Sequence, residues 1–447
     1  MCVNETFEEI MPIDGIELFE PDERYAVDNV LPKAVARPNS VPSLRRLIEL
    51  AYEKHWGLIP FGAGTAIHIG NLPSAFDIAI DMRQLQTLLE FEPADLVVTV
   101  EAGMRLYALR RMLESHRLFL PVDPPDEDEA TVGGVVATNA FGSLLYGYGT
   151  VSDWLIGIQV IQPNGKLTNF GGKVVKNVAG YNMVKLYAGS YGTLGVITSA
   201  TFRLLPMPEH HSVIALTLQS DEHAETVLKE IAQSKLCPTT VMMVEATKCD
   251  ELIMSRIQQL MIELDAFCEA PILFIGFDDF AEAVSYQVEL LKRVASPHVL
   301  SVSVFEGEHA ERLRSTLRSF QSGQNAKLHI RVNVNPSRAH RLRQEIIATA
   351  NHCNIEHLLM TSHILDGVIF MSAFDCDDSC AYSFSMGILC AVESHRGNMI
   401  IERVPTHIKP SLPIWGRNIK SHSIMRRIKE SLDERMLLSQ GRFVSGM

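Results

Sequence analysis

Residues able to cradle an anion stand in three clusters. Pro60-Phe61-Gly62-Ala63-Gly64-Thr65-Ala66 follows Trp56-Gly57-Leu58-Ile59, an apolar run that reads as a strand. Without Cβ atoms at Gly62 and Gly64, consecutive amides can turn to one side while the Thr65 hydroxyl adds a donor, a set suited to a pyrophosphate. The spacing is not a Rossmann fingerprint, because the third glycine is missing and Ile67 to Pro73 cannot continue as a helix; nor does a Gly-Lys-Ser/Thr ending follow, as a triphosphate loop requires. The second cluster lies beyond Pro124 and runs through Thr131, Gly133, Gly134, Thr138, Asn139, Ala140 and Gly142. Its small residues at alternate steps let a helix or loop lie against a flat ligand. In the third, from Lys176 to Thr198, glycines at 180, 189, 192 and 195 precede the β-branched run Val196-Ile197-Thr198. Singly, each cluster serves equally well as a tightly packed turn or helix. Together, at intervals suited to one large ligand, they favour a shared site.

The elements that would position them divide the chain into three parts. Strand, helix, strand and strand are expected over 33–37, 41–55, 58–60 and 76–81, with Pro42 well placed in the first turn of the helix. A second unit opens at Leu96-Val97-Val98-Thr99-Val100-Glu101 and continues with a helix over 106–115 and strands near 118–122, 155–161 and 196–205. Pro206 and Pro208 mark a boundary. Beyond it, strand followed by helix repeats at 212–218 and 222–234, 271–277 and 280–294, and 327–334 and 338–350, with further strands near 367–372 and 399–403. The natural packing is an antiparallel sheet with helices on one face. The division read here is an N-terminal extension over 1–29, a ligand-binding domain over 30–208, a cap over 209–400 and a return segment over 401–447.

At 447 residues the chain exceeds one ordinary core, and its net charge of −13 disfavours nucleic acid as a partner. No segment offers about twenty uninterrupted apolar residues, and Met1-Cys2-Val3-Asn4-Glu5 opens no signal peptide, so a cytoplasmic location is expected, with membrane association only through a partner. The eight cysteines, at 2, 237, 249, 268, 353, 376, 380 and 390, suggest neither a disulfide framework nor a cluster site. Cys376 and Cys380 beside Asp375, Asp377 and Asp378 read better as a solvated helix start than as a metal site, and no metal is expected. The run Asp126-Glu127-Asp128-Glu129 is expected to keep its charges in water.

Set side by side, the clusters resemble the FAD-linked oxidases of the vanillyl-alcohol oxidase (PCMH-type) family, and within it the branch of FAD-binding E subunits of bacterial glycolate oxidases. The resemblance rests on Gly62-Ala63-Gly64-Thr65 with Gly70 to Pro73, Thr131-Val132-Gly133-Gly134 with Asn139 and Gly142, Asp153 before Ile158 to Gly165, Lys176-Asn177-Val178-Ala179-Gly180-Tyr181, and Gly189 to Ile197. Ile414-Trp415-Gly416 and Gly441-Arg442-Phe443 extend it to the tail, while about 210–395 matches nothing. The resemblance implies an α+β chain: a two-subdomain FAD-binding domain, an antiparallel-sheet cap and a tail that returns to the first domain. It also implies FAD held by Pro60 to Ala66, by Pro124 and the second cluster, and by Gly192, Thr193, Gly195, Val196 and Ile197. Where some relatives attach the flavin through a histidine, this chain has Thr65, so noncovalent FAD is expected and His68 reads as a loop residue.

The resemblance further implies oxidation of a short 2-hydroxy acid by hydride transfer to flavin N5, with electrons passed to a partner, and such a site needs a cation for the carboxylate and a base. His329, Arg331, His363, Arg403, His407 and Lys409 are candidates, with His363, Arg403 and His407 put first. The histidine-rich metal cluster of related stand-alone dehydrogenases is missing from the sequence. That fits a subunit working beside a paralogous flavoprotein and an iron–sulfur subunit. A flavin-binding relay or scaffold, and a stand-alone enzyme such as a D-lactate dehydrogenase, are the alternatives.

Overall fold

The computed structural model describes residues 5–173, 180–247, 271–417 and 419–447. The stretch 174–179, with most of the Lys-Asn-Val-Ala-Gly-Tyr string, lies outside the described residues, as do residues 1–4 with Cys2, and Cys249 and Cys268.

Two small sheets form the first half. In one, Ile16–Phe19, Ala34–Pro38, Ile78–Asp81 and Leu58–Phe61 stand in that spatial order, the last three mutually parallel. Helix Val41–Lys54 covers it: Ser40 caps its first turn, Pro42 falls where the missing N–H costs nothing, and Leu44, Leu47, Ile48 and Ala51 recur at helical spacing on the buried face. The other sheet is antiparallel, in the order Leu88–Glu92, Val97–Glu101, Val196–Arg203, Leu155–Ile161 and Leu167–Gly171. Helices Leu106–Glu114 and Val132–Thr138 complete its core.

From His210 onward the chain builds one eight-stranded antiparallel sheet, in the spatial order Val299–Glu306, His210–Leu218, Ile272–Asp279, Thr240–Ala246, Leu358–His363, Val368–Ala373, Leu328–Asn333 and Asn398–Arg403. Helices Asp221–Gln233, Ala281–Ala295, Pro336–His352 and Asp378–Ser394 bury one face. The expected one-sided layer is corrected by helix Gly307–Ser319, which packs Ala310, Leu313 and Leu317 on the opposite face against Val213, Ala215, Met242 and Phe274. That second face looks toward the glycine-rich half, where Val368 and Phe370 meet Phe141 and Leu145.

Glu127 also departs from expectation. Rather than pointing into water, its side chain is 11% exposed and joins Arg110 at 2.7 Å to Arg318 of the cap at 2.9 Å, tying the two halves together. Its partners stand 17 and 191 residues away, and such long-range pairing leaves no local trace.

The tail closes both halves. Leu58 N–H donates to Leu437 O and Ser439 N–H to Leu58 O, so the tail continues the first sheet. Ile401 N–H donates to Ile414 O along the far edge of the cap sheet.

Candidate functional site

The first loop leaves its strand at Phe61 and turns through Gly64, whose φ of +79° favours glycine. Gly62 lies so close to Thr131 that a Cβ there would stand 2.0 Å from Thr131 Oγ1. Thr131 caps helix Val132–Thr138, accepting from Gly134 N–H at 3.3 Å, and Gly133 N–H donates to Ala102 O at 2.7 Å. The third loop docks on the same helix: Tyr191, with a φ of +53° that is strained for an aromatic residue, donates its N–H to Ala137 O at 2.8 Å. Gly192 follows, also at positive φ.

These loops converge on one cleft holding about 1540 Å³ of empty space, its open mouth included. Seventeen of the twenty residues assigned to the cofactor line it: Pro60 to Ala66, Pro124, Thr131, Gly133, Gly134, Thr138, Ala140, Gly192, Thr193, Gly195 and Ile197. Asn139, Gly142 and Val196 do not. Asn139 ends the helix in a left-handed turn and accepts from Ser152 N–H, Gly142 leaves room for the Asp123 backbone, and Val196 is buried in the core of the first sheet.

The cap supplies the opposite wall. His329 and Arg331 alternate along one strand and so face the same way, joined by Phe370 and Glu402 from its two neighbours. Arg331 Nε lies 3.0 Å from Glu402 Oε1 as an ion pair rather than an aligned hydrogen bond, and its Nη2 donates to the Tyr191 hydroxyl at 3.2 Å. Burial opposes the Arg331 charge, but Glu402 and Tyr191 outweigh it and raise its pKa. His329 is fully buried between Ser372 Oγ at 2.8 Å and Gln321 O at 3.1 Å, and burial lowers its pKa against the opposing pull of Glu402.

Beside this group lies a second set of cations. His68 lines the cleft; burial first, then Arg403, His329, Lys409 and Arg442, hold its pKa well below the ordinary value, so the imidazole is neutral. Lys409 Nζ donates to Asp28 at 2.6 Å and to His68 O at 2.8 Å. Arg442, 6% exposed, donates through Nη2 to Ile67 O and Ile69 O at 2.5 Å each, while its buried Nη1 has no partner among the described residues.

Of the three residues put first as catalytic, none forms the cleft wall. His407 stands away from it, its side chain 67% exposed and paired with Asp378 at 2.5 Å. Arg403 does not line the cleft but is close enough to act on His68 and His329. His363 is fully buried, its Nε2 accepting from the Gln321 amide at 2.8 Å, with Gln321 itself on the wall. Sequence reasoning passed over Tyr191, Gln321 and Glu402. Only Tyr191 carried a signal, as the aromatic residue inside a glycine-rich turn.

Burial pushes the His363 pKa down to about 4. A histidine whose folded pKa is depressed contributes stability above its unfolded pKa of about 6.5 and loses it as pH falls toward the folded value. The protein is therefore expected to lose about 3 kcal/mol of unfolding free energy from this group between about pH 6.5 and pH 4. Urea titrations across that range should be flatter for His363→Gln; equal slopes would refute the assignment.

The cleft fits an extended phosphate-bearing cofactor. Glycines from all three clusters line it, so backbone without side chains faces the cleft, and an unpaired guanidinium nitrogen is buried at the wall.

Residues 32–171 match the family described as FAD binding domain. The glycolate oxidase subunit GlcD of Bacillus subtilis is 29% identical over 250 residues, covering 54% of this chain and 53% of that protein. A D-lactate dehydrogenase of Archaeoglobus fulgidus is 33% identical over 230 residues, covering 49% and 52%. The glycolate oxidase subunit GlcE of Escherichia coli is 36% identical over 163 residues, covering 36% and 45%. The matches thus span about half the length of these relatives. An alkyldihydroxyacetonephosphate synthase structure shares the fold, with a TM-score of 0.66 at 18% identity over 92% of this chain and 76% of that one. Among the described residues, no helix is long and apolar enough to cross a membrane.

Proposed function

We propose, from the match of residues 32–171 to the FAD binding domain family, that the chain oxidises a short 2-hydroxy acid as the flavin-bearing subunit of a glycolate oxidase-like complex. The observation that carries this is the contact of Arg331 with Glu402 and Tyr191 at the cap wall of the glycine-lined cleft. A 2-hydroxy acid presents a carboxylate next to a hydroxyl, and the wall presents a cation next to a carboxylate acceptor. Arg331 and the Tyr191 hydroxyl bind the substrate carboxylate, and Glu402, on the strand beside Arg331, takes the hydroxyl proton. Arg403, Lys409 and Arg442 nearby offset the gathering of negative charge.

When bound, FAD supplies the acceptor for the hydride leaving the substrate carbon. Gly62, Gly64 and Thr65 would hold its pyrophosphate, and Gly133, Gly134 and Gly192 would admit its flat parts. Thr65 in the loop supports noncovalent attachment, so acid precipitation is expected to release the flavin to the supernatant. Similarity to GlcD and GlcE supports a subunit with a paralogous flavoprotein and an iron–sulfur protein as partners.

The purified chain is expected to be yellow and to bleach anaerobically with glycolate or D-lactate. Yellow protein that stays oxidised until a partner is added would shift the reading to an electron relay. Colourless protein that takes up no FAD would sink the proposal.

A further inference from the structure

The eight-stranded sheet ends on Val299–Glu306, whose outer edge has no strand beside it among the described residues. Its sequence, Val-Leu-Ser-Val-Ser-Val-Phe-Glu, is long, β-branched and uncharged up to its last residue, and Leu300, Val302 and Val304 are 65%, 36% and 37% exposed. Unpaired edges of this kind invite another strand, and proteins usually blunt them with charge, shortness or a cover. The other edges show such devices. The tail runs along Leu58–Phe61 and along Asn398–Arg403, Glu17 sits in Ile16–Phe19, Glu90 and Glu92 sit in Leu88–Glu92, and Leu167–Gly171 is five residues long. The one irregularity in Val299–Glu306 is a bulge at its start, where Leu300 is skipped in the pairing with Thr217 and Leu218.

We propose that this strand pairs antiparallel with the same strand of a second copy, about a two-fold axis at Val302, joining two cap sheets into one. The sequence selects this occupant. In that register Val302 meets Val302, Ser301 meets Ser303, Leu300 meets Val304 and Val299 meets Phe305. Glu306, the one acid in the strand, falls beyond the end of the ladder at the other copy's Val299, so apolar meets apolar, hydroxyl meets hydroxyl and no like charges face each other. Centring on Ser303 instead would set Leu300 against Glu306 and Ser301 against Phe305. Same-face apolar pairs and the shared backbone ladder supply the affinity, as in strand addition generally.

The full-length protein is expected to sediment as a dimer at micromolar concentration, and Val302→Lys to halve the apparent mass while keeping its far-ultraviolet spectrum and flavin content. Val302 is a surface residue, so the charge disturbs the edge and not the core. Register is read by cysteine. Opposite residues of an antiparallel pair lie about 4.5–5.5 Å apart at Cα, within disulfide reach, so Val302→Cys should link two chains under mild oxidation, whereas Leu300→Cys, remote from its own copy, should not. Wild-type protein under the same oxidant controls for the exposed Cys237 and Cys390. A wild-type monomer, a dimer untouched by Val302→Lys, or linking at Leu300→Cys without linking at Val302→Cys would each overturn the pairing. None of these readouts depends on turnover, so failure here is separable from failure of the proposed chemistry.

Discussion

Arg331→Ala is expected to lower kcat/KM for 2-hydroxy acids by about 100- to 1,000-fold, which corresponds to about 3–4 kcal/mol of transition-state binding. The guanidinium is largely buried, touches Glu402 and Tyr191, and opens on the cleft. Truncation removes the carboxylate's partner and also strands Glu402, a loss that commonly costs about 3–5 kcal/mol in a buried pair. Two variants separate these effects. Arg331→Lys keeps the charge without the planar fork and should fall between wild type and alanine. Arg331→Ala combined with Glu402→Gln removes the stranded charge and should regain thermal stability without regaining turnover. Flavin content should hold in all three, because the glycine loops are untouched. Activity of Arg331→Ala within tenfold of wild type would remove Arg331 from the site.

Gly62→Ala should produce the opposite phenotype, a folded chain that holds flavin about 10- to 100-fold less tightly, the equivalent of about 1–3 kcal/mol of overpacking. The added Cβ would stand 2.0 Å from Thr131 Oγ1 and 3.2–3.3 Å from the rest of that side chain. Rotating Thr131 away forfeits its cap on Val132–Thr138, worth about 1 kcal/mol, and leaves the other contacts tight. The loop must therefore lift off the helix that forms the facing wall. Gly64→Ala makes a useful contrast. Its positive φ carries strain, but the nearest atom to the new Cβ is 4.0 Å away, so it should be milder. Flavin-to-protein absorbance ratios after gel filtration decide the matter; Gly62→Ala as yellow as wild type would count against the cradle.

The glycine cradle was legible in the sequence because its constraint is local. A backbone that turns at Gly64 and passes Thr131 without room for a Cβ at Gly62 must be written with small residues in place. The helices over 41–54 and 106–114 were legible for the same kind of reason, a short-range periodicity. The cap wall was not. Glu402 acquires meaning only when its strand lies beside Arg331, 71 positions earlier, and Gln321 only when it reaches His363. The tertiary pairings of Glu127 are of the same kind, and a run of four acids on paper gives no hint that one of them is shared by two arginines. His407 shows the converse: its place near the returning tail is legible in the sequence, but the direction of its side chain, outward to Asp378, is not.

The position of Trp415 and Arg442 in the cleft wall bears on how the protein is made. Both belong to the return segment, and Trp415 Nε1–H donates to Arg442 O at 3.0 Å where that segment crosses the glycine loops. A ribosome delivers the first glycine loop more than 370 residues ahead of Arg442, so the nascent domain must wait, its hollow lacking a side, through most of synthesis. Tight capture of the cofactor is then a late event, tied to emergence of the tail. Chains stalled before it would leave the ribosome apo, with apolar loop surface open to chaperones and proteases.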